Sequence, residues 1–235
     1  MELSINLPSY EEEENLKILI PEIISVIESI PVETFEINII DTIEPKDNTN
    51  NLFKNFKNVR YFNREGSNSF GSAYRKAINI SQGKYIIFMD ADGSHSPNFI
   101  PILLNERFNS NMVIASRYVR GGQTENSCGL IFLSKILNII YSISLGIEAS
   151  DISNSFKLYR KEDLDKIEIK CENFDVIEEI FYKLKLKIQN FSSIEIPYTF
   201  KKRIHGKTKR NLFKFTLTFI GTLIRLKFYS IKSND

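Results

Sequence analysis

Short apolar runs rich in β-branched and aromatic residues alternate with longer amphipathic segments through the first half of the chain. The short runs have the length of buried strands, and the longer segments repeat their apolar positions with the spacing of a helix. Strands are therefore predicted at 3–7, 35–40, 59–62, 85–89 and 112–116. Helices are predicted at 11–30, 71–80 and 97–108. Such alternation is typical of an α/β domain with a mostly parallel mixed sheet covered by helices.

The pattern is less regular beyond residue 120. We predict an apolar helix at 129–147, an amphipathic helix at 175–187, and strands at 156–159 and 194–200. The polar stretch at 44–51 is predicted to be a loop. A chain of 235 residues without a linker or an internal repeat fits one large domain. We place this domain at 1–210 and expect residues 211–235 to form an amphipathic helix.

Two carboxylates lie directly after the predicted strand at 85–89. Asp90 and Asp92 are one residue apart, and Gly93 follows them. Carboxylates at the end of a buried strand are costly unless a positive charge lies between them, and hard oxygen ligands suit Mg²⁺ or Mn²⁺. In open α/β sheets, ligands bind beyond the carboxyl ends of the strands. The sequence therefore predicts a divalent metal site here, and His95 either adds a ligand or packs against the following turn.

Charge and cysteine content narrow the possible partners and the compartment. With 31 basic and 29 acidic residues the formal net charge is +2, which gives no reason to expect a nucleic acid partner. Positive charge is concentrated late, at 201–203 and 207–210. The two cysteines, Cys128 and Cys171, are compatible with free thiols in a reducing compartment, and the acidic first residues do not resemble a signal peptide. We expect a cytoplasmic protein.

Two segments bear on membrane association. The predicted helix at 130–147 is apolar except for a narrow polar face that includes Ser134 and Lys135. A spanning helix needs roughly 20 mainly apolar residues, so this helix is predicted either to pack in the core or to lie along a lipid surface. The apolar residues at 215–224 lie between basic residues, which anionic lipid attracts. We expect the protein to lie peripherally on the inner face of the membrane.

Six short motifs occur in order across nearly the whole chain. They are PSYEEEENL at 8–16, FGSAYR at 70–75, MDADGSHSP at 89–97, ASRYVRGG at 115–122, DISNSFKLY at 151–159, and IPYTF at 196–200 followed by Arg203, Gly206, Thr208 and Lys209. Together they resemble the family 2 glycosyltransferases, and within them the dolichol-phosphate or polyprenyl-phosphate mannosyl- and glucosyltransferases. Any one motif is weak, but six in order with compatible spacing are strong support for the resemblance.

The resemblance implies a GT-A fold, which is a Rossmann-like domain that binds nucleotide sugars, and inverting transfer of one hexose from a nucleoside diphosphate. It places four side chains toward the nucleoside, namely Pro8, Tyr10, Glu12 and Asp41. The metal on the diphosphate would be held by Asp90 and Asp92, with Ser94 as a further ligand. Arg203 and Lys209 would contact the diphosphate, and Arg117 and Ser134 the acceptor phosphate. The candidate catalytic side chains are Asp90, Asp92, Arg117 and Arg203.

The expected charges of the reaction agree with these roles. A leaving nucleoside diphosphate gains negative charge, which a cation held by carboxylates and a planar arginine group stabilise. An acceptor phosphate is already an anion, so a polyprenyl phosphate needs positioning but no strong base. A glycan hydroxyl would need a base, for which Asp151 and Glu178 are candidates. A third hypothesis is a non-catalytic protein that binds sugar nucleotides, because several motifs are altered.

Two alterations lie on the donor side. Thr42 stands beside Asp41 where the family has a second Asp, and the loop that follows is longer, so contacts to the base are open. Gly93 replaces a bulky residue beside the two candidate metal ligands.

The other two alterations lie on the acceptor side. Leu130 and Ile131 occupy the region of a family arginine, which either Lys135 or Arg120 would have to replace. A family glycine is also missing from the stretch at 154–157, and with it some backbone freedom. These two alterations leave the acceptor open between a polyprenyl phosphate and a glycan hydroxyl.

Overall fold

The computed structural model of the chain describes residues 1–54, 56–206 and 212–233. The strands in these residues are β1 (Leu3–Pro8), β2 (Phe35–Asp41), β3 (Val59–Asn63), β4 (Tyr85–Phe88), β5 (Met112–Ser116), β6 (Gln123–Thr124), β7 (Lys157–Arg160), β8 (Ser193–Pro197) and β9 (Thr199–Phe200). The helices are α1 (Glu13–Glu28), α2 (Thr49–Leu52), α3 (Phe70–Ile80), α4 (Ile100–Asn105), α5 (Cys128–Leu145), α6 (Lys161–Leu164), α7 (Val176–Lys187) and α8 (Leu212–Ser233).

Seven strands form one sheet in the order β3-β2-β1-β4-β7-β5-β8. Neighbouring strands are parallel except at β7, which runs antiparallel to β4 and β5. Phe88 at the end of β4 pairs with Lys157 at the beginning of β7. The carboxyl end of β4 and the amino end of β7 therefore meet at one edge of the sheet. The predicted α/β fold with a mostly parallel mixed sheet is confirmed.

Helices cover both faces of the sheet because its central strands bury side chains on both sides. In β4, Tyr85 and Ile87 belong to the core under α1 and α4, whereas Ile86 and Phe88 belong to the core under α3 and α7. This alternation follows from the two-residue period of a strand. A run that is buried on both faces is apolar throughout, which explains why β4 was visible as an unbroken apolar segment.

The described part of the predicted tail packs against the domain as α8. The Tyr141 hydroxyl of α5 donates a 2.7 Å hydrogen bond to the carbonyl of Phe219, and the two rings lie 4.6 Å apart. The Thr222 hydroxyl donates to Asp175 at the beginning of α7. These contacts place one face of α8 in the same core as α5 and α7.

Three local predictions differ from the structure. The predicted loop at 44–51 contains the beginning of α2, where Asp47 accepts a 3.1 Å hydrogen bond from the Thr49 amide. The predicted helix at 97–108 is a 3₁₀ turn, Pro97–Phe99, followed by the short α4. The predicted last strand divides into β8 and β9, because the chain leaves the main sheet at Tyr198 and β9 pairs with β6. The short elements β6 and α6 carry no periodic signal and were not predicted.

Candidate active site at the carboxyl edge of the sheet

The two candidate metal ligands lie at the carboxyl edge of the sheet, directly after β4. The side chains of Asp90 and Asp92 are 32% and 24% exposed, so both carboxylates are partly open to solvent. Asp90 accepts a 2.9 Å hydrogen bond from the hydroxyl of Ser155, which lies in the loop before β7. Its amide donates to Nδ1 of His95 at 2.9 Å. The antiparallel β7 thus brings a hydroxyl from a distant segment onto the first carboxylate.

The turn after Asp92 is held by hydrogen bonds to its own residues and to Tyr198. Oδ1 of Asp92 accepts from the amide and the hydroxyl of Ser94, at 3.0 and 2.6 Å. The Tyr198 hydroxyl donates to the carbonyl of Ser94 at 3.0 Å and accepts from the amide of Ser96 at 2.8 Å. In this structure the Ser94 hydroxyl therefore orients Asp92, and its direct binding of a metal stays a prediction. Sequence reasoning gave no role to Tyr198.

His95 takes the packed position of its two predicted alternatives. Its ring is fully buried and stacks on Phe156 with 4.7 Å between ring centroids. Burial lowers the pKa of His95, and Nδ1 accepts the Asp90 amide, so the neutral ring carries its proton on Nε2. The ring supports the main chain at Asp90.

Arg203 joins the Asp pair to the beginning of α1. Its guanidinium donates to Oε1 of Glu12 at 2.6 Å and lies 3.6 Å from Oδ2 of Asp92. The prediction placed Glu12 toward the nucleoside, and the structure brings it onto Arg203. Burial raises the pKa of Glu12, an effect that the nearby Arg203 and Asn15 partly oppose. Lys209, the second predicted diphosphate contact, lies outside the described residues.

Asn15 fastens the segment that carries Arg203, and sequence reasoning missed it. Its side chain is buried, accepts from the His205 amide at 2.9 Å and donates to the His205 carbonyl at 3.3 Å. The same amide group donates to Glu12. Because one side chain bonds both the segment and the carboxylate that holds Arg203, it fixes the distance between them.

The structure gives a steric reason for Gly93. Its φ is +80°, a left-handed conformation that favours glycine, and a Cβ built there would lie 2.4 Å from Cδ1 of Ile204. The Ile204 amide donates to the carbonyl of Asp92 at 3.0 Å, which holds the isoleucine over the turn. Ile204 therefore occupies the space beside the Asp pair that a bulky residue at position 93 would need.

Among the residues predicted to face the nucleoside, Asp41 is buried and Tyr10 is exposed. Asp41 accepts a 3.0 Å hydrogen bond from the Tyr61 hydroxyl and a 2.7 Å bond from the Thr42 amide. Burial raises the pKa of Asp41. Pro8 ends β1 one strand away from Asp41. These residues lie on the edge that also carries the Asp pair.

The altered loop after β2 is tied to α1. Asp47 accepts a 3.0 Å hydrogen bond from the amide of Glu13, and Glu13 accepts a 3.1 Å bond from the amide of Asn48. This reciprocal pairing satisfies an amide in the first turn of the helix. Asp47 therefore holds this loop against the first turn of α1.

Arg117, predicted to contact the acceptor, forms a bidentate pair with Asp151. The two N–H···O distances are 2.8 and 2.6 Å, and the Arg117 amide also donates to Asp151 at 2.8 Å. Burial opposes the charge of Arg117, but Asp151 outweighs this effect and raises the pKa of the guanidinium. Asp151 is fully buried and committed to this pair, so it is not placed to act as a base.

A hydrogen-bond chain joins Arg117 to Ser134. Arg117 donates to the Ser153 hydroxyl at 3.0 Å, and Asn138 of α5 donates to the same oxygen at 3.2 Å. Asn138 also donates to the Ser134 carbonyl at 2.9 Å and accepts from the Ser153 amide at 3.0 Å. Ser153 and Asn138, neither of which was predicted to belong to the site, thus link Arg117 to the main-chain carbonyl of Ser134 on α5.

The other candidate base, Glu178, lies in the core on α7. It is 1% exposed, and α7 is buried from Val176 to Leu184. Lys157 is also fully buried, donates to the carbonyl of Ile152 at 2.6 Å, and so holds the loop that contains Asp151. Burial lowers the pKa of Lys157 to about 8.

The chemistry of the Asp pair fits a magnesium or manganese ion that is also held by substrate. Among the described residues, no group of three or more His, Cys, Asp or Glu side chains is arranged to hold a metal. Mg²⁺ is commonly bound by one or two carboxylates together with substrate phosphates, and two partly exposed carboxylates satisfy that need. A cavity of about 510 Å³ lies at the opposite edge of the sheet, beside Gly83 and Arg160, away from these groups. The candidate site is therefore the carboxyl edge, where the Asp pair lies, and not this cavity.

α5 presents an apolar surface beside this site. By length and composition alone this helix could cross a membrane, and 22% of its residues are buried in the protein. Phe132 and Ile143 are 68% and 78% exposed. The predicted alternative of a core helix therefore describes only its inner side, around Leu137 and Tyr141.

Comparison with known proteins gives the family and the fold. The family model described as Glycosyl transferase family 2 matches residues 4–168. The dolichol-phosphate mannosyltransferase of Pyrococcus furiosus is 28% identical in an alignment 221 residues long that covers 89% of this chain and 59% of the relative. The polyprenol monophosphomannose synthase of Mycolicibacterium smegmatis is 28% identical over 86% of this chain and 78% of its own length. This chain thus spans somewhat more than half the length of the Pyrococcus relative.

Solved structures with low sequence identity share the architecture. Glucosyl-3-phosphoglycerate synthase from Mycobacterium tuberculosis, solved with Mn²⁺, UDP and phosphoglyceric acid, superposes with a TM-score of 0.72 at 15% identity. The match covers 96% of this chain and 78% of that protein. At this identity the similarity establishes the fold.

Proposed function

The chain belongs to glycosyltransferase family 2, and from this premise we propose that it transfers one hexose, with inversion, from a nucleoside diphosphate to a polyprenyl phosphate. We propose that it does so at the cytoplasmic face of a membrane and with a divalent metal. Both curated relatives carry names that specify a dolichol-phosphate or polyprenol-phosphate mannosyl product.

On the donor side, Asp90 and Asp92 hold the metal. Mg²⁺ or Mn²⁺ bound there would neutralise the negative charge that the nucleoside diphosphate gains as it leaves the sugar. Arg203 contacts the same diphosphate from the side of α1, with Lys209 as a second cation. Because Arg203 already lies 3.6 Å from Asp92, a short shift of its guanidinium brings it onto a phosphate bound between the two. Pro8, Tyr10, Glu12 and Asp41 form the nucleoside side.

On the acceptor side, Arg117 and Ser134 position the phosphate, which attacks as an anion without a base. One observation carries this choice of acceptor: α5 has a polar edge bonded to Arg117 through Ser153 and, on its other side, a wide exposed apolar face. A lipid phosphate likewise has a charged headgroup, which suits the polar edge, and an apolar chain, which suits the apolar face. A water-soluble acceptor gives no reason for the apolar face.

The alternatives have weaker support. Transfer to a glycan hydroxyl needs a general base, and both candidates are unsuited, because Asp151 is paired with Arg117 and Glu178 is in the core. A non-catalytic sugar-nucleotide-binding protein has no need for a buried arginine on the acceptor side.

The test is transfer from a panel of labelled nucleoside-diphosphate hexoses, with Mg²⁺ or Mn²⁺, to either undecaprenyl phosphate in vesicles or a mixture of soluble oligosaccharides. We expect label to enter the lipid fraction with one donor and to stay out of the oligosaccharides. Label in the oligosaccharides alone would establish the glycan alternative. Donor binding without release of nucleoside diphosphate to any acceptor would establish the non-catalytic one.

A further inference from the structure

The acceptor side has little net positive charge from Arg117. Asp151 neutralises this guanidinium in a bidentate pair. A phosphate monoester carries between one and two negative charges at neutral pH. Leu130 and Ile131 are apolar where the family pattern has an arginine, so a second cation has to come from elsewhere.

Lys135 and Arg117 both lie close to the aromatic ring of Tyr118. Its ammonium lies 5.5 Å from the centroid of Tyr118, and the guanidinium carbon of Arg117 lies 4.9 Å from that centroid. Lys135 also follows Ser134 directly on α5, at the polar edge of the helix. Both cations therefore lie beside the ring of Tyr118, and Arg117 is linked to α5 by the hydrogen bonds through Ser153.

The charge of Lys135 is available, unlike that of Arg117. Among the described residues, no carboxylate lies within 4.0 Å of its ammonium, and the side chain is exposed. A lysine is a compact charge on a flexible stem, and its contact with an aromatic ring is weak enough to be exchanged for a phosphate.

Exposed apolar residues surround Lys135 on the helix. Phe132 is three positions before it and Ile139 four positions after it, so both lie on its side of α5. Both are exposed. A polyprenyl chain lying on these residues would place its phosphate at Lys135.

We infer that Lys135 is the second cation of the acceptor-phosphate site, beside Arg117 and next to Ser134 on α5. This inference rests on the proposed function. The ligand chemistry is a phosphate monoester joined to an isoprenoid chain.

The experiment compares Lys135→Ala, Lys135→Arg, Arg120→Ala and the control Lys187→Ala, an exposed lysine on α7. For Lys135→Ala we expect the KM for polyprenyl phosphate to rise about tenfold, as for loss of a charged hydrogen bond, with the donor KM unchanged. Lys135→Arg should restore most of the affinity, and Arg120→Ala and Lys187→Ala should resemble the unmodified protein.

A second arm separates a phosphate contact from general attraction to a membrane. It uses a short, water-soluble polyprenyl phosphate without vesicles, and the rise in KM should persist there. A rise seen only with anionic vesicles, or a larger effect of Arg120→Ala than of Lys135→Ala, overturns the assignment. If the unmodified protein transfers to no polyprenyl phosphate, the proposed function fails; if it does transfer and Lys135→Ala is unchanged, only this inference fails.

Discussion

Arg203 donates a 2.6 Å hydrogen bond to Glu12, which lies 191 positions earlier in the chain. The same guanidinium is 3.6 Å from Asp92. A group suited to phosphate is therefore held between two carboxylates at the edge of the sheet, close to the place where a diphosphate would bind.

Replacing Arg203 by alanine should lower kcat by about 100-fold, because a charge that stabilises the leaving diphosphate is lost. Lys202→Ala is the matched control, since this neighbouring side chain is exposed. Steady-state transfer rates at saturating donor measure the effect. If both variants lose activity equally, the loss reflects the loop as a whole and Arg203 has no special role.

Asn15→Ala should lower kcat/KM for the donor roughly ten- to hundredfold, because the segment carrying Arg203 is no longer held at a fixed distance from α1. The KM for the acceptor should stay the same. Asn105→Ala, at an exposed position on α4, serves as control. Loss of acceptor affinity as well would mean that Asn15 supports the fold in general.

Gly93→Ala should destabilise the protein by about 1–3 kcal/mol, through overpacking against Ile204 and a strained left-handed backbone. Adding Ile204→Ala should recover only the overpacking part, because the φ of +80° remains. Urea unfolding of the two single variants and the double variant gives the coupling. Additive effects would show that the two side chains do not compete for space.

Asp92→Asn should reduce transfer by about two orders of magnitude while leaving the unfolding midpoint nearly unchanged, because Asp92 is partly exposed and Ser94 can still bond its remaining oxygen. In the unmodified protein, Mn²⁺ should increase the thermal stabilisation given by the matching nucleoside diphosphate. Asp165→Asn, an exposed carboxylate on the opposite edge, is the control. Full turnover in excess EDTA would contradict the metal role.

Lys157 should make stability depend on pH above neutrality. Burial lowers its pKa from 10.5 to about 8 in the folded protein. Below pH 8 both states bind the proton, and the cost of burying the charge is fully present. Between pH 8 and 10.5 the folded state releases the proton while the unfolded state keeps it, so this group makes stability rise with pH, by roughly 3 kcal/mol in total.

The free energy of unfolding is measured for the unmodified protein and for Lys157→Met at about pH 7.5 and about pH 9.5, and its change with pH is compared between the two proteins. The variant should lack the rise that Lys157 contributes, whatever its absolute stability. Parallel slopes would mean that the ammonium is not desolvated in the fold.

The sequence was sufficient for the parts of the molecule that follow local rules. The apolar run of β4 and the carboxylates after it predicted a buried strand that ends in the Asp pair, and the fold confirms the strand and places the pair at the carboxyl edge of the sheet. Helix boundaries followed from periodicity to within a few residues, except where a helix is as short as α2 or α4.

Contacts between distant residues were not predictable in this way. Asn15, Tyr198 and Ser155 support the site through one or two hydrogen bonds each to segments about 65 to 190 residues away. Amide and hydroxyl side chains in loops or first turns have no period and no fixed partner in sequence. For the same reason the motif match identified Glu12 and Arg203 separately, and only the fold showed that they bond each other.

The reversal of β7 has a consequence for how this enzyme family can vary. The six residues before that strand, 151–156, bond Asp90 through Ser155 and Arg117 through Asp151 and Ser153. A loop that follows a parallel strand usually contributes to one part of the carboxyl edge, so it can change without altering the other part. In the proposed reaction this one segment contacts both the donor side and the acceptor side, so we expect a change in it that alters acceptor binding to alter donor binding as well.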